Sequence, residues 1–396
     1  MSARPPVKDW TTDFDHTDPR WLNDPFPLWD ELRGRCPVAR SERFEGGAYF
    51  PSRYHEVREI AYDTEHFSSR RVIVRDKKIE PPFPSPPITS DPPAHRLDRM
   101  PLLPPFNPKA VAKLQPGTRE LCERLIERFI GAGRCDAATD YAQHIPTRVI
   151  AHMLGVPEDD GDRFRHWIKM ALEVGIYEPQ KTVEAIIEMT AYFKEQIAKR
   201  QGRPGEDLIS YVRDLQLEGK PVPEEKRIGA LRLILIAGID TTWSAIGASL
   251  WHLATHDGDR RRLAADPSLM DTAVEELLRA YAPVTMAREV VKEVTIGGCP
   301  MKPGGMVLLS FPAANRDPAV FTDADKVLLD RKENRHAAFG LGIHRCIGSN
   351  LARMELRTAL EVWLERIPEF RLESGSEVKW STGTVRGPRQ LPVVFG

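Results

Sequence analysis

The chain has 396 residues, 41% hydrophobic and 29% charged, with a formal net charge of −1. That balance suits a globular protein with a large core, and it offers no basic excess to recruit nucleic acid and no acidic tail. Its five cysteines, Cys36, Cys122, Cys135, Cys299 and Cys346, are odd in number and form no C-x-x-C pair, which argues against a disulfide scaffold, a structural zinc or a plant-type iron–sulfur site and for a reducing, cytoplasmic setting.

Taken in order, Met1 to Trp10 is polar and proline-bearing, unlike a secretory leader. Gly46-Gly47 is a turn signal ahead of a short strand at Tyr49-Phe50, and Ser52 to Asp63 has helical spacing. Val72 to Pro93 is long, proline-rich and irregular, yet it holds Val72, Ile73, Val74, Phe83 and Ile88. A long loop with that apolar content reads as a functional lid. From Asn107 to Asp266 the pattern is mainly helical, with apolar residues three and four apart, as in Leu121, Leu125 and Phe129. The longest apolar helix, Ile228 to His256, is interrupted by Arg232 and Asp240, so it is expected to fall short of a membrane span. After Ala282 come short strands at Val290 to Ile296 and Met306 to Phe311, then a polar meander from Asn315 to Arg335. A helix from about Ile347 and a strand-rich tail complete the chain. No internal repeat or flexible tether divides it, so residues 1–396 are read as one mainly α domain with a minor β portion, although length alone suggests roughly two or three.

The strongest chemical signal is Phe339-Gly-Leu-Gly-Ile-His-Arg-Cys-Ile-Gly348, followed by Leu351-Ala-Arg-Met-Glu355. Three glycines crowd one cysteine, and glycine permits the close approach and positive φ that a loop around a metal ligand requires. Apolar residues at Leu351, Met354, Ala359, Val362 and Trp363 describe a buried helix with Cys346 at its start, where free N–H groups and the helix dipole favour a thiolate. The bland alternative is a buried structural cysteine in a glycine-rich turn.

This stretch resembles the heme-binding loop of the cytochrome P450 superfamily at every characteristic position. The resemblance implies a triangular, mostly helical fold around heme b, with Cys346 as the axial thiolate to iron, O2 as co-substrate, and Ala237, Phe339 and Gly348 packed on the cofactor. Ala237-Gly-Ile-Asp-Thr-Thr242 then looks like the family's oxygen-side helix, with Asp240 as the acid and Thr241 as the alcohol that pass protons inward through a local bulge. Read from the residues alone, the same segment is equally a helix break at Gly238 with Asp240 capping a second helix. Glu276-Leu-Leu-Arg279 lies between that helix and the cysteine loop, as in the family, and Arg331 is expected to complete a structural triad with it.

His95, Arg99, Arg288 and His344 match the family's contacts to the heme propionates, and carboxylates clamped by Arg and His make physical sense. The sequence departs from the pattern at Ala94, where an acid is usual, and at Pro101, Pro104 and Pro105, which cut the helix carrying Arg99 short. By the same analogy, Val72, Ile88, Ile236, Ala237, Val284, Met286 and Val385 line the substrate, with Thr384 beside the last. Being mostly apolar or small, they favour a small apolar or aromatic molecule. The expected reaction inserts one oxygen atom, as hydroxylation or O-dealkylation, with electrons from NAD(P)H. No flavin or nicotinamide motif is present, so the electrons arrive through a ferredoxin and its reductase. The alternative is a reductase module on the same polypeptide, since Thr384-Val-Arg-Gly-Pro388 resembles self-sufficient members. Neither nucleic acid nor membrane is an expected partner. Two rivals stay open: a heme-thiolate binder or sensor that does not oxygenate, and a thiol hydrolase using Cys346 with His344.

Overall fold

The computed structural model describes residues 4–77 and 83–396. Its largest apolar core is helical and is organised by one long helix, Glu224–Thr255. Because most faces of that helix are apolar, it is buried on nearly every side, against Pro179–Lys199, His144–Leu154 and Ser349–Arg366. By length and composition it could cross a membrane despite Arg232 and Asp240, contrary to the sequence expectation, but its apolar window is 67% buried inside the protein. Both interrupting charges are buried too. Arg232 bonds Thr190 and the Pro84 carbonyl, and Asp240 bonds Arg389. Neither reading of the Ala237–Thr242 segment holds: the helix runs unbroken for 32 residues, without the local bulge the resemblance implies and without the alternative break at Gly238, so Asp240 is not a cap. Gly238 answers to packing instead, since a Cβ there would lie 2.7 Å from Ile150 Cδ1.

The β portion is a five-stranded sheet in the order Val38–Ser41, Ala48–Pro51, Met306–Ser310, Thr285–Val290, Phe67–Ser68. Met306–Ser310 is central, buried at every position, and pairs in parallel with Ala48–Pro51 and antiparallel with Thr285–Val290. A continuous apolar run suits a strand covered on both faces. The single strand expected from Val290 to Ile296 is in fact two. Thr285–Val290 ends at the sheet, and Val294–Ile296 pairs with Cys299–Met301 in a separate hairpin. Exposed Val291, Lys292 and Glu293 lead the chain away between them.

Residues 315–341 carry no helix or strand, matching the expected meander, and the tail pairs Phe370–Leu372 with Pro392–Phe395. Helix Ala94–Arg99 passes directly into short turns at Met100–Leu102 and Pro104–Phe106, where proline removes the donors a longer helix needs. Of the irregular stretch from Val72 to Pro93, positions 78–82 lie outside the described residues; Val72, Phe83 and Ile88 face an internal cavity.

Candidate active site

Gly340 (φ +71°) and Gly342 (φ +68°) turn the chain back beneath Phe339, and the Cys346 N–H donates to the Phe339 carbonyl at 2.8 Å to close the loop. A Cβ on Gly342 would lie 2.2 Å from the Ala61 carbonyl oxygen, so the loop is pressed against the end of helix Tyr54–Tyr62. Gly348 differs from the sequence expectation: its φ of −84° is open to any residue. Its lack of a side chain leaves the surface beside Cys346 Sγ uncovered. Helix Ser349–Arg366 starts three residues after the cysteine rather than at it. The Gly348 N–H nevertheless approaches the sulfur. Burial pushes the thiol up, while that N–H and the guanidinium groups of Arg99, Arg345 and Arg353 oppose it. Cys346 is both deep in the protein and exposed, because what it faces is the cavity.

That cavity measures about 420 Å³ and is predominantly apolar. All seven positions expected to line a substrate do line it, along with Thr384. Val284 and Val385 are brought there together by a β-bridge. Ala237 is exposed although its helix is otherwise core, and Ala237, Gly238 and Thr241 share the cavity wall with Phe339, Cys346 and Gly348. The Thr241 hydroxyl donates to the Ala237 carbonyl at 2.7 Å.

Beside the cysteine loop lies a cluster of bases. His95 and His344 pack edge to face with ring centroids 4.4 Å apart, and His344 Nε2 is 2.9 Å from Ser69 Oγ. Arg288 donates to its neighbouring Ala287 carbonyl at 2.7 Å, and Arg99 donates to the Arg345 carbonyl. No described carboxylate forms an ion pair with any of the four, and buried His95 Nε2 has no hydrogen-bond partner. Burial, then the charges of Arg288, His95 and Arg99, push His344 down to about 3; burial alone brings Arg288 down to about 10. A dianion at this edge would relieve both effects. The set of two guanidiniums, two imidazoles and one accessible thiol beside an apolar cavity therefore fits heme: carboxylates for the bases, iron for the sulfur, an apolar slot for the ring. His344 bonds Ser69 rather than Cys346, which leaves the hydrolase rival without a nucleophile–base pair.

Asp240 does not line the cavity. It is 1% exposed, and Arg389, in the short strand Pro388–Gln390, donates to its Oδ1 at 2.7 Å while also bonding Ser244 and Glu173. Its Oδ2 has no hydrogen-bond partner. Burial outweighs the guanidinium and pushes the carboxyl up to about 6, with Glu173 adding to the rise. Glu276 and Arg279 are fully buried and bonded at 2.8 Å, and Arg331 reaches Glu276 at 2.9 Å. Arg279 also donates to the carbonyls of Asn315, Ala324 and Lys326, pinning the meander to the helix that carries Glu276. Sequence reasoning missed Ser69, Glu173, Ser244 and Arg389. Only the buried Asp240, which calls for a cation, pointed toward any of them.

A profile of the family described as Cytochrome P450 matches residues 265–384. Mycinamicin IV hydroxylase/epoxidase of Micromonospora griseorubida is 33% identical over 376 residues, covering 93% of this chain and 94% of that protein. Cytochrome P450 monooxygenase PikC of Streptomyces venezuelae is 32% identical over 379 residues, covering 93% and 91%. Among solved structures, the bacillaene polyketide synthase cytochrome P450 PksS of Bacillus subtilis 168 superposes with a TM-score of 0.89 at 27% identity, over 97% of this chain and 100% of that one.

Proposed function

The chain belongs to the cytochrome P450 family and is a monooxygenase, and from that premise we propose that Cys346 is the axial thiolate of heme b in an enzyme that oxygenates a small, largely apolar organic substrate. The observation that carries the reading is an exposed Cys346 sharing one apolar cavity with an exposed Ala237 and with Thr241. When bound, heme supplies the electron and oxygen chemistry. His95, Arg99, Arg288 and His344 hold its two carboxylates, and Phe339, Ala237 and Gly348 pack on its faces.

The remaining residues manage substrate and protons. Val72, Ile88, Ile236, Val284, Met286 and Val385 exclude water and orient an apolar body by shape, and the stretch around Val72 and Ile88 acts as the lid. Thr241 Oγ1 hands a proton inward at the cavity wall, and Asp240, titrating near neutrality, replenishes it. Glu276, Arg279 and Arg331 are structural. Electrons from NAD(P)H come through a ferredoxin and its reductase, or through a reductase module on the native polypeptide. We read the setting as cytoplasmic.

An optical spectrum beside a turnover assay tests the reading. A thiolate-heme spectrum with oxygenated product supports it. The same spectrum without turnover on any apolar substrate favours a binder or sensor, and a purified protein that takes up no heme overturns it.

A further inference from the structure

The cavity wall carries an unbalanced charge. Seven of its lining side chains are basic, and none of the described ones is Asp or Glu. Arg99, Arg288 and His344 belong to the cofactor edge proposed above, and Arg70 and Arg71 both bond Glu289. Arg75 and Lys77 are left; Lys77 is exposed, whereas Arg75 is half-buried, and neither forms an ion pair among the described residues. The Arg75 guanidinium reaches away from its own loop, donating to the Gly175 carbonyl at 3.0 Å and to Thr182 Oγ1 at 3.3 Å. Ala171, Pro179, Val183 and Ile186 extend the same stretch of cavity wall.

Two neutral acceptors hold this cation in place without neutralising it. Burial accordingly holds the guanidinium below its ordinary range, and no described carboxylate opposes that effect. A loop staple alone could be made by a neutral donor. A half-buried guanidinium left uncompensated in an apolar wall is unfavourable until an anion arrives.

We propose that the substrate is an organic acid whose carboxylate is bound by Arg75, with Lys77 adding charge at the same wall, so that its apolar remainder is presented toward Cys346 and Thr241. This rests on the heme-thiolate reading and narrows its substrate class. Arg75 is thereby a specificity-determining residue. The carboxylate matches the planar fork of the guanidinium, and a charge-assisted pair of this kind discriminates strongly against an uncharged isostere.

The test uses the heme-loaded protein and a ladder of ω-(imidazol-1-yl)alkanoic acids of increasing length, each beside its primary amide. The imidazole anchors every ligand at the iron and reports binding as a Soret shift, so chain length measures the reach to Arg75. At the matching length the acid should bind about ten- to a hundredfold tighter than its amide. Arg75→Gln should bring that ratio to about one while leaving amide affinity within about twofold, and Arg75→Lys should retain part of the preference. A merely structural role for Arg75 would move acid and amide together. Equal affinities at every length, acids that do not bind, or an acid preference that survives Arg75→Gln overturns the proposal. The thiolate-heme spectrum of the same sample keeps the two readings apart. Without that spectrum the heme assignment fails; with it, and without acid preference, only the substrate class fails.

Discussion

Replacing Asp240 by asparagine keeps the shape and removes one titrating proton, and the structure says how large the consequences should be. The carboxyl is 1% exposed, bonded to Arg389 at 2.7 Å through Oδ1 and unpartnered at Oδ2. Its rise from an ordinary 3.8 to about 6 places it where a donor and acceptor can work near neutral pH. Asparagine can hydrogen-bond Arg389 but cannot exchange a proton, so turnover should fall about tenfold or more, within the roughly 10²–10⁴-fold range of a positioned acid–base group. Substrate affinity should change little, because Asp240 does not line the cavity.

The same shift has a stability sign. A carboxyl whose folded pKa is raised favours the folded state below about pH 4, and that advantage declines as pH rises toward about 6. Above that, the ionised wild type carries a penalty of about 3 kcal/mol at most, from a rise of roughly two pH units at about 1.4 kcal/mol each. Asparagine lacks this dependence, so the melting temperature of Asp240→Asn should gain on wild type between pH 4 and pH 7. NADH consumption, product and peroxide are measured for both proteins, together with melting curves across that range. Unchanged turnover and coupling, with parallel melting profiles, would falsify the relay and leave Asp240 as architecture.

Two further outcomes follow from the same geometry. Thr241→Ala removes the only hydroxyl in the Ala237–Thr241 stretch of the cavity wall, so reducing equivalents should still be consumed while a larger fraction emerges as hydrogen peroxide; peroxide per NADH checks this, and wild-type coupling would count against Thr241. Arg288→Ala removes a buried cation from the cluster proposed to hold two carboxylates. Losing a charge-assisted bond worth about 1.5–3 kcal/mol should weaken heme retention on gel filtration, and full retention would exclude Arg288 from that role.

Much of the fold was legible because it is written locally. Helix period, proline stops and the glycine turn before Tyr49 each act over a few residues, and the cysteine loop is a contiguous signature. What was not legible depends on partners distant in sequence. Arg389 meets Asp240 across 149 positions, and Ser69 meets His344 across 275; neither has a local pattern. Neither the bulge implied by the family resemblance nor the alternative break at Gly238 formed, because glycine there serves contact with Ile150, and burial on nearly all sides outweighs its weak helix propensity. The strand expected from Val290 to Ile296 was split because β propensity does not register where a chain leaves its sheet. Arg75 read as one charge in an irregular loop; its bonds to Gly175 and Thr182, a hundred positions away, have no local pattern either.

The central claim is that Cys346 holds the heme iron. The reduced, carbon monoxide-bound protein should show the red-shifted Soret band of thiolate-ligated heme. Cys346→His should abolish that band while heme remains detectable, and Cys36→Ser and Cys122→Ser should both retain it. If the band survives in Cys346→His, or disappears with Cys36 or Cys122 instead, the assignment of Cys346 is contradicted, and with it the account of the cavity as the site of oxygen chemistry.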